Sequence, residues 1–165
     1  SRKNYDVNVF GLLAVTQTFL PLLRAAQGMV VNQSSISAVG ARNQPFIGMY
    51  SSSKAAATAI SNSIRVDFEP FNVKVITLMT SDVQMKFWQK ASTASVGLPQ
   101  SSLYDPIRDS VEAMMRGDSN PPGQHSHERW ARKVADDLLR RNPAPYVRGG
   151  YLVMACEYIR ALVVA

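Results

Sequence analysis

Two short apolar runs, residues 29–33 and 73–78, stand on either side of one long helix-favouring stretch, and this spacing constrains the fold more than any other feature. The second run, with Val73, Val75, Ile76 and Leu78, has the composition of a strand buried on both faces of a parallel sheet. The intervening stretch from Met49 to Glu69 carries Ala55, Ala56 and Ala57 and stops before Pro70, which predicts a helix. Strand, helix and strand in that order form a βαβ unit, right-handed by strong default. Sites on such sheets lie beyond the carboxyl ends of the strands, so Ser34-Ser35 and Thr80-Ser81 should border one crevice.

Other segments read less sharply. From Asn4 to Ala26, Val7, Phe10, Leu13, Ala14, Leu20 and Leu23 recur near helical spacing, with Pro21 expected to bend the last turns and Gly28 to break the chain. Residues 36–48 read as loop, and the pattern weakens again over 84–124. His127 to Arg141 predicts a basic amphipathic helix with Trp130, Val134 and Leu138 four residues apart, stopped by Pro143 and Pro145. The tail from Tyr151 to Ala165 is apolar apart from Glu157 and Arg160, as a core helix, a dimer contact or an interfacial segment would be.

Composition narrows the class. A chain of 165 residues, 46% hydrophobic and 18% charged, can bury a core. One cysteine, Cys156, rules out an internal disulfide framework and fits a reducing compartment. The net charge of +6 suits an acidic partner, but the basic residues are dispersed without aromatic interleaving, so no nucleic-acid partner is expected. His125 and His127 lack further ligands nearby, and no metal site is expected. The polar start shows no signal core, and no stretch reaches the ~18–20 uninterrupted apolar residues of a membrane span.

The chemistry sits at the start of the central helix. Tyr50 and Lys54 are four residues apart and fall on one face, a turn apart. An ammonium about 4–5 Å from a phenol favours the phenolate by roughly 3–4 kcal/mol at an effective dielectric of ~20, before desolvation. A shift of roughly two units would bring the phenol towards the range of a general acid or base.

With Asp6-Val7-Asn8-Val9-Phe10-Gly11 upstream, Asn32-Gln33-Ser34-Ser35 at a strand end and Tyr50-x-x-x-Lys54 after it, the chain resembles the second half of a short-chain dehydrogenase/reductase over residues 4–85. The resemblance implies a partial Rossmann-like α/β fold, a doubly wound parallel sheet. Residues 1–85 would be its catalytic part, 86–125 a substrate-capping region and 126–165 carboxyl-terminal helices. It implies a nicotinamide cofactor, NADP(H) in preference to NAD(H), and a homodimer. Within the family, Glu69-Pro70-Phe71-Asn72-Val73-Lys74-Val75 and the Met79-Thr80 that follows look most like fungal acyl-dihydroxyacetone-phosphate reductases. That implies a lipid-like ketone and a cytoplasmic enzyme at the endoplasmic reticulum or lipid-droplet surface.

By the same resemblance, Tyr50 would pass a proton to or from the substrate oxygen while the nicotinamide passes hydride. Lys54 would lower the phenol pKa and hold the nicotinamide ribose, and Asn8 would hold a water linking Lys54 to solvent. Ser35, at the strand end, would orient the substrate oxygen; it stands fifteen residues before Tyr50, and Ser37, two residues on, has the family's usual spacing. Val83 would meet the carboxamide through its backbone, although Thr80-Ser81 replaces the usual Pro-Gly. The family's Gly-rich strand-turn-helix, whose helix N-terminus receives the pyrophosphate, has no counterpart among the nine dispersed glycines. The chain is therefore expected to be a carboxyl-terminal portion that binds cofactor poorly by itself. The alternative to an enzyme is a non-catalytic remnant that dimerises through the helices bearing Asn8 and Tyr50.

Overall fold

The structure is a computed structural model that describes residues 2–40, 45–81, 83, 97–116 and 126–149. The amino-terminal helical run begins as α1 (Arg2–Tyr5), widens through a π-helical segment (Asp6–Gly11) and continues through Pro21 as α2 (Leu12–Ala26). It ends at Gln27, whose φ of 46° is left-handed, and the Gly28 N–H donates to the Leu23 carbonyl at 2.8 Å. The stop thus falls one residue before the expected glycine, in the closing pattern common at helix ends. Strand β1 (Met29–Ser35) follows, then a 3₁₀ turn (Ile36–Val39) where the sequence suggests only loop. Helix α3 (Gly48–Phe68) leads through a second 3₁₀ turn (Glu69–Phe71) to β2 (Lys74–Thr80). The remaining described elements are a 3₁₀ turn (Asp105–Ile107), α4 (Arg108–Arg116), α5 (His127–Leu138) and β3 (Tyr146–Gly149).

The three strands are parallel and lie in the order β1-β2-β3, so the fold is the α/β parallel sheet the βαβ pattern predicts. The register sets Ser35 beside Thr80 and Thr80 beside Gly149, which brings all three carboxyl ends to one line. On one face, Phe68, Val73 and Val75 pack with Leu20, Leu23, Val30 and Ile64 of α2, β1 and α3. On the other, Ile76, Leu78 and Val147 pack with Met29 and with Trp130, Val134 and Leu138, the expected stripe of α5.

Strand β3 is the element that sequence patterning misses. Its four residues include Arg148 and Gly149 and follow two prolines, so nothing local announces a strand. Longer-range contacts specify it. Arg65 of α3 donates from Nε to the Val75 carbonyl at 2.8 Å and from one terminal nitrogen to Thr77 Oγ1 at 3.1 Å and the Pro145 carbonyl at 3.2 Å. Its guanidinium also lies 5.0 Å from the Tyr146 ring centroid. Trp130 of α5 covers Gly149 so closely that a Cβ there would fall 2.1 Å from Cζ3 of the indole.

The helical run Arg2–Ala26, 25 residues with a most apolar window of mean hydropathy 1.5, is long and apolar enough to cross a membrane by length and composition. Here it lies against the sheet instead: Leu20 and Leu23 join the core and Asn8 bonds to α3, while Val7, Phe10, Val15, Phe19 and Leu22 face outwards. The tail with Cys156, the loop centred on Asn43, Asp82, the Asn120–Gly123 break, His125 and half of the expected capping region lie outside the described residues.

Candidate active site

Helix α3 is positioned by a ladder of small polar contacts with β1. Asn32 donates from Nδ2 to Ser61 Oγ at 2.9 Å, both buried. Ser34 Oγ lies 2.6 Å from Thr58 Oγ1 and donates to the Lys54 carbonyl at 3.2 Å. Positions 54, 58 and 61 share one helix face, and Ala57 between them is buried with no side chain large enough to hold the sheet away. The polar residues Asn32 and Ser34, unusual inside a strand, are thus partners for hydroxyls of α3.

That docking fixes Lys54. Although a lysine, it is buried, and Nζ donates to the main-chain carbonyl of Gln33 at 3.0 Å. Burial disfavours the charged form and pushes its pKa below the ordinary lysine value. Nζ stands 5.9 Å from the centroid of the Tyr50 ring, so the two side chains share a helix face. Tyr50 is 38% exposed, open to a reactant. Gln33 itself spans the strand ends, donating from Nε2 to Thr80 Oγ1 at 2.7 Å and to the Ser34 carbonyl at 2.8 Å.

Asn8 lies in the π-helical segment, and its Nδ2 donates to Ser53 Oγ at 3.0 Å. Ser53 is fully buried and donates in turn to the Tyr50 carbonyl at 2.7 Å. Asn8 is therefore tied to the turn that presents Tyr50 and Lys54 through a hydroxyl that sequence reasoning did not single out. The available signal was the three-residue step from Tyr50 to Ser53, which returns to nearly the same helix face.

The two serine alternatives meet. Ser35, at the end of β1, accepts the Ser37 N–H at 3.2 Å, capping the 3₁₀ turn, and its hydroxyl donates to Ser37 Oγ at 3.3 Å. A hydroxyl so engaged leaves the Ser37 proton as the outward donor of the pair. Val83 is buried just past the end of β2.

A nicotinamide group fits part of this arrangement. The Ser81 hydroxyl, one residue beyond β2, is buried without a hydrogen-bond partner. Such a group costs about 1–3 kcal/mol unless a ligand satisfies it. Tyr50, Lys54 and Val83 border the same strand ends and could meet the nicotinamide and its ribose. No Gly-rich turn opening a helix occurs among the described residues.

A parallel sheet flanked by helices, with a tyrosine and a buried lysine one turn apart near its strand ends, defines a Rossmann-like α/β domain. The short chain dehydrogenase family profile matches residues 1–95, and the chain belongs to that family. A short-chain dehydrogenase/reductase of Pestalotiopsis microspora is 37% identical over 144 residues, covering 87% of this chain and 48% of the relative. A short-chain dehydrogenase of Penicillium crustosum is 36% identical over 149 residues, 90% of this chain and 52% of the relative. The NADPH-dependent 1-acyldihydroxyacetone phosphate reductase of Schizosaccharomyces pombe is 35% identical over 108 residues, 64% of this chain and 36% of that enzyme. Among solved structures, a Streptomyces avermitilis short-chain dehydrogenase superposes with TM-score 0.71 at 20% identity, covering 99% of this chain and 59% of its own. A Burkholderia cenocepacia short-chain dehydrogenase in complex with NADP superposes with TM-score 0.67 at 22% identity, covering 97% and 55%. The chain spans about half the length of the curated relatives it matches.

Proposed function

We propose that this chain is the catalytic half of an NADP(H)-dependent oxidoreductase that interconverts a ketone and a secondary alcohol. The observation that carries the reading is the Tyr50 phenol, open at the strand ends with the buried Lys54 ammonium 5.9 Å from its ring. The cofactor, when bound, would supply or accept hydride at the carbonyl carbon. In the reducing direction Tyr50 gives its hydroxyl proton to the substrate oxygen. The Lys54 positive charge stabilises the phenolate left behind, and its hydrogen bond to the Gln33 carbonyl holds it in place. The Ser35–Ser37 hydroxyl pair donates to the same substrate oxygen, which orients the carbon for hydride. Asn8 and Ser53 hold the turn carrying both groups.

The preference for NADP(H) is supported by the NADPH-dependent S. pombe reductase and the NADP-bound B. cenocepacia structure. The substrate is a lipid-like ketone, of which an acyl-dihydroxyacetone phosphate is one candidate. The same proposal includes a homodimer formed through the outward apolar face of the π-helical segment and α2. It also includes a cytoplasmic location at an endoplasmic-reticulum or lipid-droplet surface, supported by the apolar composition of residues 151–165. Flotation with anionic liposomes tests the surface association, and a protein left wholly soluble would remove it.

The deciding experiment uses a full-length form that carries a nucleotide-binding half. Tyr50→Phe should lower kcat by about 100-fold or more while changing the NADPH Kd little, because it deletes the proton donor alone. Undiminished turnover would reject the assignment.

A further inference from the structure

Gln33 is engaged at both its main chain and its side chain. Its carbonyl accepts the Lys54 ammonium at 3.0 Å, while its amide donates from Nε2 to Thr80 Oγ1 at 2.7 Å and to the Ser34 carbonyl at 2.8 Å. A carbonyl can only accept, so the nitrogen end of the amide must face Ser34, and both of its hydrogens are used. Gln33 is exposed and Thr80 is buried. Holding an exposed glutamine in one rotamer costs conformational entropy that packing at such a position does little to offset.

The tie lies where β1 ends. The Lys74 N–H donates to the Gly28 carbonyl at 3.0 Å, and carbonyls along a strand point alternately to its two edges, so that of Gln33 faces away from β2. It lies outside the ladder that joins the two strands, and two residues further on β1 gives way to the 3₁₀ turn. Gln33 is registered with Leu78 and Thr80 with Ser35, so the amide reaches diagonally over the last rungs of the ladder. The residue whose carbonyl holds the lysine is thereby braced on β2 by its own side chain. Lys54 in turn stands 5.9 Å from the centroid of the Tyr50 ring. Thr80, Gln33, Lys54 and Tyr50 form one continuous series of contacts from β2 to α3.

Resting on the oxidoreductase reading above, we propose that Gln33 is a positioning residue: its side chain, braced on the Thr80 hydroxyl, fixes the carbonyl that keeps the Lys54 ammonium beside Tyr50. Without the amide the end of β1 is free to fray, and the lysine loses a fixed acceptor. Neither Gln33 nor Thr80 needs to touch the substrate or pass a proton.

The test follows the Lys54 ammonium itself, by NMR of the 165-residue chain isotopically labelled at lysine, at mildly acidic pH. Lys54→Met identifies its signal. Gln33→Leu and Thr80→Val should each speed exchange of the ammonium protons with water about tenfold, while Thr80→Ser, which keeps the hydroxyl, should retain the parent rate. The amides of Asn32 and Ile76, in the middle of the ladder, are the control and should keep their protection. In a full-length form carrying a nucleotide-binding half, Gln33→Leu should lower kcat about tenfold and Thr80→Ser should leave it near the parent value. An unchanged ammonium exchange rate in either Gln33→Leu or Thr80→Val, an equal acceleration at the control amides, or an unchanged kcat in Gln33→Leu would each overturn the proposal. The exchange measurement needs no hydride transfer, whose own test is the Tyr50→Phe turnover, so the two readings fail separately.

Discussion

The Lys54 ammonium donates to the main-chain carbonyl of Gln33, at 3.0 Å, so the charged end of helix α3's lysine is anchored to the backbone of β1 next to the strand's end. A backbone carbonyl neither titrates nor rotates away. The ammonium that stands 5.9 Å from the Tyr50 ring is thereby held by the sheet itself, and the first expectation concerns that anchoring.

The first concerns pH. Burial lowers the Lys54 pKa in the folded chain below its unfolded value, so between the two the unfolded state binds more protons and stability rises with pH. The cost of the buried charge is fully present below the folded pKa and is relieved as pH climbs towards 10.5. Lys54→Met should therefore raise Tm at pH 7, with the difference from the parent narrowing by alkaline pH. A difference that widens with pH, measured by calorimetry, would contradict the sign.

The second concerns the buried hydroxyl relay. Ser53→Ala removes an acceptor from Asn8 and a donor to the Tyr50 carbonyl. It should cost about 1–2 kcal/mol, and a double-mutant cycle with Asn8→Ala should show a coupling of at least ~0.5 kcal/mol. Strict additivity in urea titrations would mean that the two side chains do not act together.

A third follows from the contact of Trp130 with Gly149. A methyl group added by Gly149→Ala would fall 2.1 Å from the indole, so the ring or β3 must move. The expected loss is ~1–3 kcal/mol, and Trp130→Leu in the same chain should restore part of it by making room. A Gly149→Ala protein as stable as the parent would show that the ring is not seated there.

The fourth uses the acid side. Glu112 accepts the Leu98 N–H at 3.0 Å and an Arg108 donor at 2.9 Å, and these bonds hold its pKa below the ordinary carboxylate value. A depressed carboxylate pKa contributes stability above the unfolded pKa and loses it as pH falls through the folded one. Protection of the Leu98 amide from hydrogen exchange should therefore fall below about pH 4 relative to that of amides of β2. Equal protection at pH 7 and pH 3 would remove Glu112 as the brace.

The fifth concerns assembly. Val7, Phe10, Val15, Phe19 and Leu22 present an outward apolar face on the helix before β1. Sedimentation should find the parent chain self-associated, and Phe10→Glu with Phe19→Glu should shift it to monomer. A monodisperse monomer for the parent would withdraw the dimer.

Much of this fold could be read in advance, for physical reasons. The βαβ unit was legible because strand and helix periodicities are local, and helix α5 because its indole and two aliphatic residues recur every four positions. Strand β3 was not, since Tyr146 to Gly149 are held as a strand by Arg65, Trp130 and the Thr77 N–H bond to Pro145, contacts that span 19 to 81 residues of sequence. Asn8, Tyr50 and Lys54 could be picked out by resemblance to the family's motifs, and Ser35 by its place at the strand end although the spacing favours Ser37, but their hydrogen-bond partners could not. Ser53 and the Gln33 carbonyl acquire meaning only once α3 is docked on β1. The two-residue uncertainty over the serine has a simple geometric form, because a 3₁₀ turn folds Ser37 back onto Ser35.

Arg65 gathers the Val75 carbonyl, Thr77 Oγ1, the Pro145 carbonyl and the Asn62 side-chain oxygen, none of which is a carboxylate. These four bonds of Arg65 contain nothing that acid can discharge, since each acceptor is neutral and a guanidinium keeps its proton throughout. Acidification would unbutton the molecule first at Arg108 and Glu112, while these bonds stayed closed. A partly unfolded acid form of this protein should then be a bare three-stranded sheet with α3 still clasped to it.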